Sequence, residues 1–253
     1  MKKNLLASLL LATGLVSTPS SAAIEPSSQP KVIFFDVNET LLDLGNVAQS
    51  VTRALDGRDD LVGPWFTTML HYSLVSNAIG DYHHFGEIGV AALQLVAQQH
   101  QIDLTPEQAK QAIATPFRDL QPHVEVVKAL TTLKQSGIKL VTLTNSSDAG
   151  IASQLNNAKL TEYFDGSLTV EHLQIYKPDL RVYQWALEKM DVAPQDAMLI
   201  AAHAWDIAGA ANAGLQTGFV QRPGKYQFAL AQPADYVAPD LVKLTEQVLK
   251  ESR

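Results

Sequence analysis

The sequence predicts a doubly wound, Rossmann-like parallel α/β sheet with an all-helical cap inserted after the first strand. Three observations carry this. Apolar, β-branched runs alternate with helical patterns over most of the chain. Residues 46–121 break that rhythm and contain no convincing strand. Polar and charged side chains stand immediately after several of the apolar runs, where open α/β sheets place their ligands.

The first run is Lys31-Val32-Ile33-Phe34-Phe35, ending in Asp36. Its continuous apolar character is that of a parallel strand buried on both faces. Ile138 to Leu143 is a second such run, Met198 to Ala201 a third and Thr217 to Val220 a fourth. Helical spacing is expected over Val124 to Gln135, with Val124, Val127, Leu130 and Leu133 inward, and again over Leu180 to Met190 and Ile207 to Ala213. Gly137 and Gly214 stand where helix C-terminal glycines belong. In the interruption, Val47 to Leu55, Trp65 to Ala78, Gly86 to His100 and Pro106 to Ala114 read as helices. The expected division is therefore a core of 31–45 and 122–253 with a cap of 46–121.

At 253 residues the chain is long enough to bury a sizeable core, and 46% hydrophobic with 18% charged residues is ordinary for a globular protein. A net charge of -7 argues against a nucleic-acid partner. Lys2 and Lys3 precede an apolar run, Leu5 to Val16, too short to span a bilayer, and then a small-residue stretch ending Ala22-Ala23. This is the layout of a cleavable signal peptide over 1–23, so a periplasmic or secreted protein with no membrane segment after cleavage is expected. The absence of cysteine excludes a lipoprotein anchor and suits an oxidising compartment. A homodimer is compatible with the sequence but not fixed by it.

The strand-end residues form a pattern. Asp36-Val37-Asn38-Glu39-Thr40-Leu41, Thr144-Asn145, Lys177-Pro178 and Ala204-Trp205-Asp206 occur in that order. They resemble the four motifs of the haloacid dehalogenase superfamily, over roughly residues 31 to 245. A strand-end carboxylate such as Asp36 can attack an electrophile and form an ester. It must stay ionised while partly desolvated, and a lysine such as Lys177 favours the charged form. Phosphatases of the superfamily carry a second Asp two residues after the nucleophile; here that position is Asn38, which cannot act as a carboxylic acid. They also bind magnesium through acidic residues of the fourth motif, whose first position here is Ala202.

The resemblance is therefore nearest to the type II (S)-2-haloacid dehalogenases. It implies a metal-independent hydrolase with no cofactor, acting on a short halogenated carboxylic acid. Asp36, Lys177 and Asp206 would be catalytic, and Thr40, Thr144, Asn145, Tyr183, His203 and Phe66 would bind substrate. The sequence departs from that pattern at three places. Phe66 follows Trp65 where those enzymes carry an arginine that grips halide, and Ala201 and His203 replace a serine and an asparagine. His203 could serve as a cation or as a base toward water, and one of Arg53, Arg58 and Arg118 could fold over the site in place of the missing arginine. Two other readings stand beside this one: a magnesium-dependent phosphatase of the same superfamily, and a non-catalytic binder of small carboxylates.

Overall fold

The structure is a computed structural model that describes residues 29–250. The signal-peptide expectation over 1–23 lies outside the described residues. Strand β1 (Val32–Phe35) occupies the middle of a six-stranded parallel sheet. It pairs on one side with β4 (Lys139–Thr144) and on the other with β6 (Ala197–Ala201). Strand β5 (Gly166–Thr169) lies outside β4, while β7 (Gln216–Val220) and β8 (Tyr236–Ala238) continue beyond β6. The chain thus builds one half of the sheet outward from β1 and then returns to build the other. The topological switch point falls at the carboxyl end of β1, where Asp36 follows.

The central strands are apolar throughout because helices cover both faces. Every side chain of β1 and of β6 is buried, and each buried Phe, Ile or Val contributes about 1.5–3 kcal/mol of transfer free energy. The helix expected from Val124 begins later, as α5 (Val126–Gln135), and its phase differs from the expectation. Val126, Ala129, Leu130 and Leu133 face the core, whereas Val124 is fully exposed and Val127 partly so. The reason is helical geometry: Leu130 and Leu133 share their face with positions 126 and 129, and 127 lies to its side. Two further strands of this sheet, β5 and β8, go beyond the sequence expectation.

Between β1 and β4 the chain runs through α1 (Gly45–Ala54), α2 (Val62–Ile79), α3 (Phe85–Gln99) and α4 (Pro106–Arg118). Thr105 caps α4 in a reciprocal capping box with Gln108, and Pro106 occupies its first turn. Trp65, Met69, Leu93, Val96 and Ile113 are buried among these helices, and the Trp65 indole donates to the Gly89 carbonyl at 2.9 Å. Short strands β2 (Leu42–Asp43) and β3 (Gln121–Pro122) pair antiparallel where the chain leaves and re-enters the core. Polar clamps join the helical segment to the core, among them those of Asn77 and Gln154. Asn77 exchanges two hydrogen bonds with the backbone of Tyr176, at 2.9 and 2.8 Å. Gln154, on α6 (Asp148–Asn157), donates to the Phe117 carbonyl. Among the described residues no helix is long and apolar enough to cross a membrane.

Candidate active site

The turn after β1 is folded tightly on itself. The amides of Leu41 and Leu42 both donate to the Val37 carbonyl, and Glu39 takes a left-handed backbone conformation with φ 62°. This turn presents Asp36, Glu39 and Thr40 to the strand ends. Lys177 reaches the same place from the loop before α7 (Leu180–Met190), and Asp206 from the first turn of α8 (Ala204–Asn212).

Lys177 is fully buried, and its ammonium lies between two carboxylates. It donates to Asp36 Oδ1 at 3.1 Å, to Asp206 Oδ2 at 2.6 Å and to the Leu143 carbonyl at 2.8 Å. Burial disfavours its charge, but the two carboxylates more than compensate, so Lys177 stays a cation. Burial likewise works against the charge of Asp36. Lys177, His203 and the Thr40 hydroxyl overcome it and hold Asp36 well below the usual carboxylate range. Burial and the nearby Asp36 charge raise Asp206 despite Lys177, which makes it the stronger base of the two.

The remaining expected residues arrange themselves around this triad in distinct ways. Thr40 donates to Asp36 Oδ2 at 2.7 Å and accepts from the Ala202 amide at 2.9 Å. Tyr183 is buried and donates to Asp206 Oδ1 at 2.6 Å. Its ring passes so close to α8 that a Cβ at Gly209 would sit 2.5 Å from the Tyr183 hydroxyl; the position requires glycine. Asn145 accepts from the Lys177 amide at 3.0 Å and so positions the lysine backbone. Thr144 stands apart: its buried hydroxyl accepts from the Ser146 amide within the turn after β4. Asn38 is occupied structurally, donating to Ser146 and accepting from Gln154.

His203 bridges two carboxylates. Its Nδ1 is 3.1 Å from Asp36 Oδ2 and its Nε2 is 2.7 Å from Glu39 Oε2. Burial lowers the affinity of the ring for a proton, but the two acidic partners outweigh it and push its pKa up to about 9. The ring is stacked between Trp205 and Phe66, at centroid distances of 5.1 and 6.3 Å. Lys225 bonds to Glu39 at 2.7 Å, and its ammonium lies 5.6 Å over the Phe66 ring. The cation beside Phe66 thus comes from the loop after β7. Arg58 pairs with Asp60 on the surface, and Arg53 lines an exposed groove with Asp59, so neither takes the place of the missing arginine.

Sequence reasoning does not single out Glu39, Lys225 or Arg222. Arg222 bonds to Glu125 at 2.5 Å and to the Thr40 carbonyl at 2.7 Å, holding the turn that carries Asp36. A signal for Glu39 does exist, as the one charged residue between Asn38 and Thr40 in the first motif. Lys225 lies 186 residues from Glu39, and Arg222 lies 182 from Thr40 and 97 from Glu125, so neither has such a signal. A cleft of about 590 Å³ opens beside them, walled by Glu39, Phe66, His123, Arg222 and Lys225, so that two residues touching His203 also face the opening.

The donor set does not fit a magnesium ion. The Lys177 ammonium already fills the space between Asp36 and Asp206, and both Asp206 oxygens are bonded. Among the described residues no group of three or more His, Cys, Asp or Glu is arranged to hold a metal.

Comparison with known proteins places the chain in a family. Residues 30–214 match the family model of haloacid dehalogenase-like hydrolases. The chain is 29% identical over 220 residues to (S)-2-haloacid dehalogenase 1 of Pseudomonas sp. strain CBS-3, covering 85% of this chain and 95% of that protein. It is also 29% identical over 217 residues to the (S)-2-haloacid dehalogenase of Pseudomonas sp. strain YL, with 85% and 93% covered. The L-2-haloacid dehalogenase of Xanthobacter autotrophicus shares the fold with a TM-score of 0.80 at 23% identity, over 87% of this chain and 98% of that one. With that family model matched over most of its length, the chain belongs to the haloacid dehalogenase-like hydrolases.

Proposed function

We propose that the protein hydrolyses the carbon–halogen bond of a short 2-haloacid, without a metal, through an ester on Asp36. The observation that carries this reading is the Lys177 ammonium seated between Asp36 and Asp206, at 3.1 and 2.6 Å. It keeps the nucleophile ionised, while Asn38 and Ala202 stand where phosphatases of the superfamily carry a general acid and an acidic metal ligand. The similarity to (S)-2-haloacid dehalogenases supports the substrate class.

The reaction runs in two steps. Asp36 attacks the carbon bearing halogen from the side opposite the leaving group, a carbon–oxygen bond forms, and halide departs with the bonding pair. Water then adds to the carboxyl carbon of the Asp36 ester. Asp206, the more basic carboxylate, takes the proton of that water and returns it to the departing alkoxide oxygen. The hydroxy acid leaves, and the Asp36 carboxyl loses its proton to solvent. From the signal-peptide layout over 1–23 we also propose that the mature protein is exported and begins after Ala23, which N-terminal sequencing of a periplasmic fraction tests directly.

The enzymatic test is halide release from (S)-2-chloropropionate, with and without chelator, in oxygen-18 water over many turnovers. Halide release unaffected by chelator, with label entering the Asp36 peptide, is the expected result. Absence of halide with every short 2-haloacid, together with chelator-sensitive phosphate ester hydrolysis, would replace this reading by a phosphatase.

A further inference from the structure

We infer that His203, held as an imidazolium by Glu39, joins Thr40 as an oxyanion-stabilising donor during hydrolysis of the Asp36 ester. The inference rests on the ester chemistry proposed above and assigns a catalytic role to His203 and a positioning role to Glu39.

The two oxygens of Asp36 are unequally engaged. Oδ2 faces two donors, the Thr40 hydroxyl at 2.7 Å and His203 Nδ1 at 3.1 Å, whereas the side-chain partner of Oδ1 is Lys177 alone, at 3.1 Å. An oxygen committed to two hydrogen bonds is the poorer nucleophile, so Oδ1 attacks the substrate carbon. Oδ2 then becomes the carbonyl oxygen of the ester. When water adds to the carboxyl carbon, the negative charge develops on Oδ2, where both donors already point. Collapse breaks the bond between the carboxyl carbon and Oδ1. That oxygen leaves with the hydroxy acid after taking the proton held by Asp206, and Lys177 stands beside it as it departs.

This scheme has a specific requirement. Alkylation removes the negative charge of Asp36, one of the two charges that keep His203 protonated. Glu39 is the other, at 2.7 Å from Nε2, and it stays ionised because His203 and Lys225 outweigh its burial. The groups facing the ring are Asp36 from the end of β1, Glu39 from the turn, Trp205 from α8 and Phe66 from α2. Lys177 and Lys225 pair with those same carboxylates and, as nearby cations, oppose the charge of the ring. Glu39 is therefore the group that preserves the charge of His203 between alkylation and hydrolysis. The stack between Phe66 and Trp205 fixes the ring plane, so that Nδ1 addresses Oδ2 while Nε2 addresses Glu39.

The test has an arm that needs no substrate. Asp36→Asn resembles the ester in being uncharged with a carbonyl oxygen. Imidazole resonances of isotope-labelled protein, assigned with His203→Gln, are followed against pH. In Asp36→Asn, His203 is expected to titrate above about 7.5, and in Asp36→Asn with Glu39→Gln at about 6.5 or below. Titration at or below about 6.5 in Asp36→Asn alone overturns the proposal. In the turnover arm, His203→Gln slows breakdown of the ester about 100-fold more than its formation, so that the adduct accumulates on Asp36. Halide release and ester breakdown falling together, or breakdown proceeding unchanged, overturns it. A wild-type chain that gives neither halide nor adduct with any haloacid would overturn the dehalogenase reading instead, and the titration would still decide whether Glu39 holds the charge of His203.

Discussion

Lys177→Met removes a buried charge while keeping much of the side-chain volume, and its effect follows from what the ammonium holds. That group bonds to Asp36, Asp206 and the Leu143 carbonyl, and the side chain is fully buried. Without it, two carboxylates share a site from which water is largely excluded. Removing one partner of a buried ion pair costs about 3–5 kcal/mol. For a chain of this length each kcal/mol moves the melting temperature by about 2–4 °C, so a fall of about 6–20 °C is expected near neutral pH. The cost also depends on pH, in a determined direction. With the lysine gone, one carboxylate has its folded-state pKa raised above its unfolded value, so the folded state prefers it protonated. Destabilisation therefore starts near the unfolded carboxylate value of about 3.9 and grows by about 1.4 kcal/mol per pH unit until the folded pKa is passed. Urea denaturation at pH 5 and pH 7.5 measures both quantities. The variant should lie closest to wild type at pH 5, and a further Asp206→Asn exchange should recover much of the loss at pH 7.5. Wild-type stability of Lys177→Met at pH 7.5, or a loss that is the same at both pH values, would refute the electrostatic account of this triad.

Tyr183→Phe leaves Asp206 Oδ1 without its buried donor; a loss of about 1–3 kcal/mol is expected by denaturation, with kcat lowered more than KM changes. Gly209→Ala forces a methyl group against the Tyr183 ring, and calorimetry should show it at least as destabilised as Tyr183→Phe, because overpacking of about 1–3 kcal/mol adds to the displaced hydrogen bond. His203 gains its folded-state proton affinity from Asp36 and Glu39, so its contribution is complete below its unfolded value of about 6.5 and is lost as pH rises through about 9. Stability should fall across that window, and Glu39→Gln should flatten the slope in denaturation series at fixed ionic strength. Because Asp36 is held below the usual carboxylate range, the acid limb of kcat/KM for halide release should lie below about pH 4 in the wild type and move upward in Thr40→Val.

Much of this arrangement is legible in the sequence, and the limits of that legibility have physical causes. β1 and β6 announce themselves because strands buried on both faces must be apolar throughout, and β4 does so through Leu140, Val141 and Leu143. β5, Gly-Ser-Leu-Thr, lies at one edge of the sheet with most of its residues incompletely buried, and β8 has only three residues, so neither leaves a run long enough to read. The phase of α5 is misleading in sequence because Val124 is as apolar as the residues that pack, although it lies outside the helix and faces water. At the site, Asp36, Lys177 and Asp206 are recognisable because four motifs resembling those of the superfamily occur in order; Lys177 alone would read as an ordinary loop lysine. Thr40 reads as a substrate-binding residue, yet its hydroxyl is bonded to the nucleophile and to the Ala202 amide. The pairing of His203 with Glu39 depends on a left-handed turn that returns Glu39 toward α8, a property of backbone path that composition does not express.

The two-residue pairing of β2 with β3 bears on how such a chain can diversify. Leu42 stands opposite Pro122 and Asp43 opposite Gln121, so the chain departs and returns at adjacent points. Everything between them hangs from one closed neck, and the order of strands in the main sheet is indifferent to its length. A segment inserted, shortened or exchanged there leaves Asp36, Lys177 and Asp206 where the sheet and its helices hold them. It changes only what faces them from above, including the aromatic ring at Phe66. The catalytic machinery and the selectivity of this fold can therefore drift apart under selection, since recombination at the neck replaces one without unpicking the other.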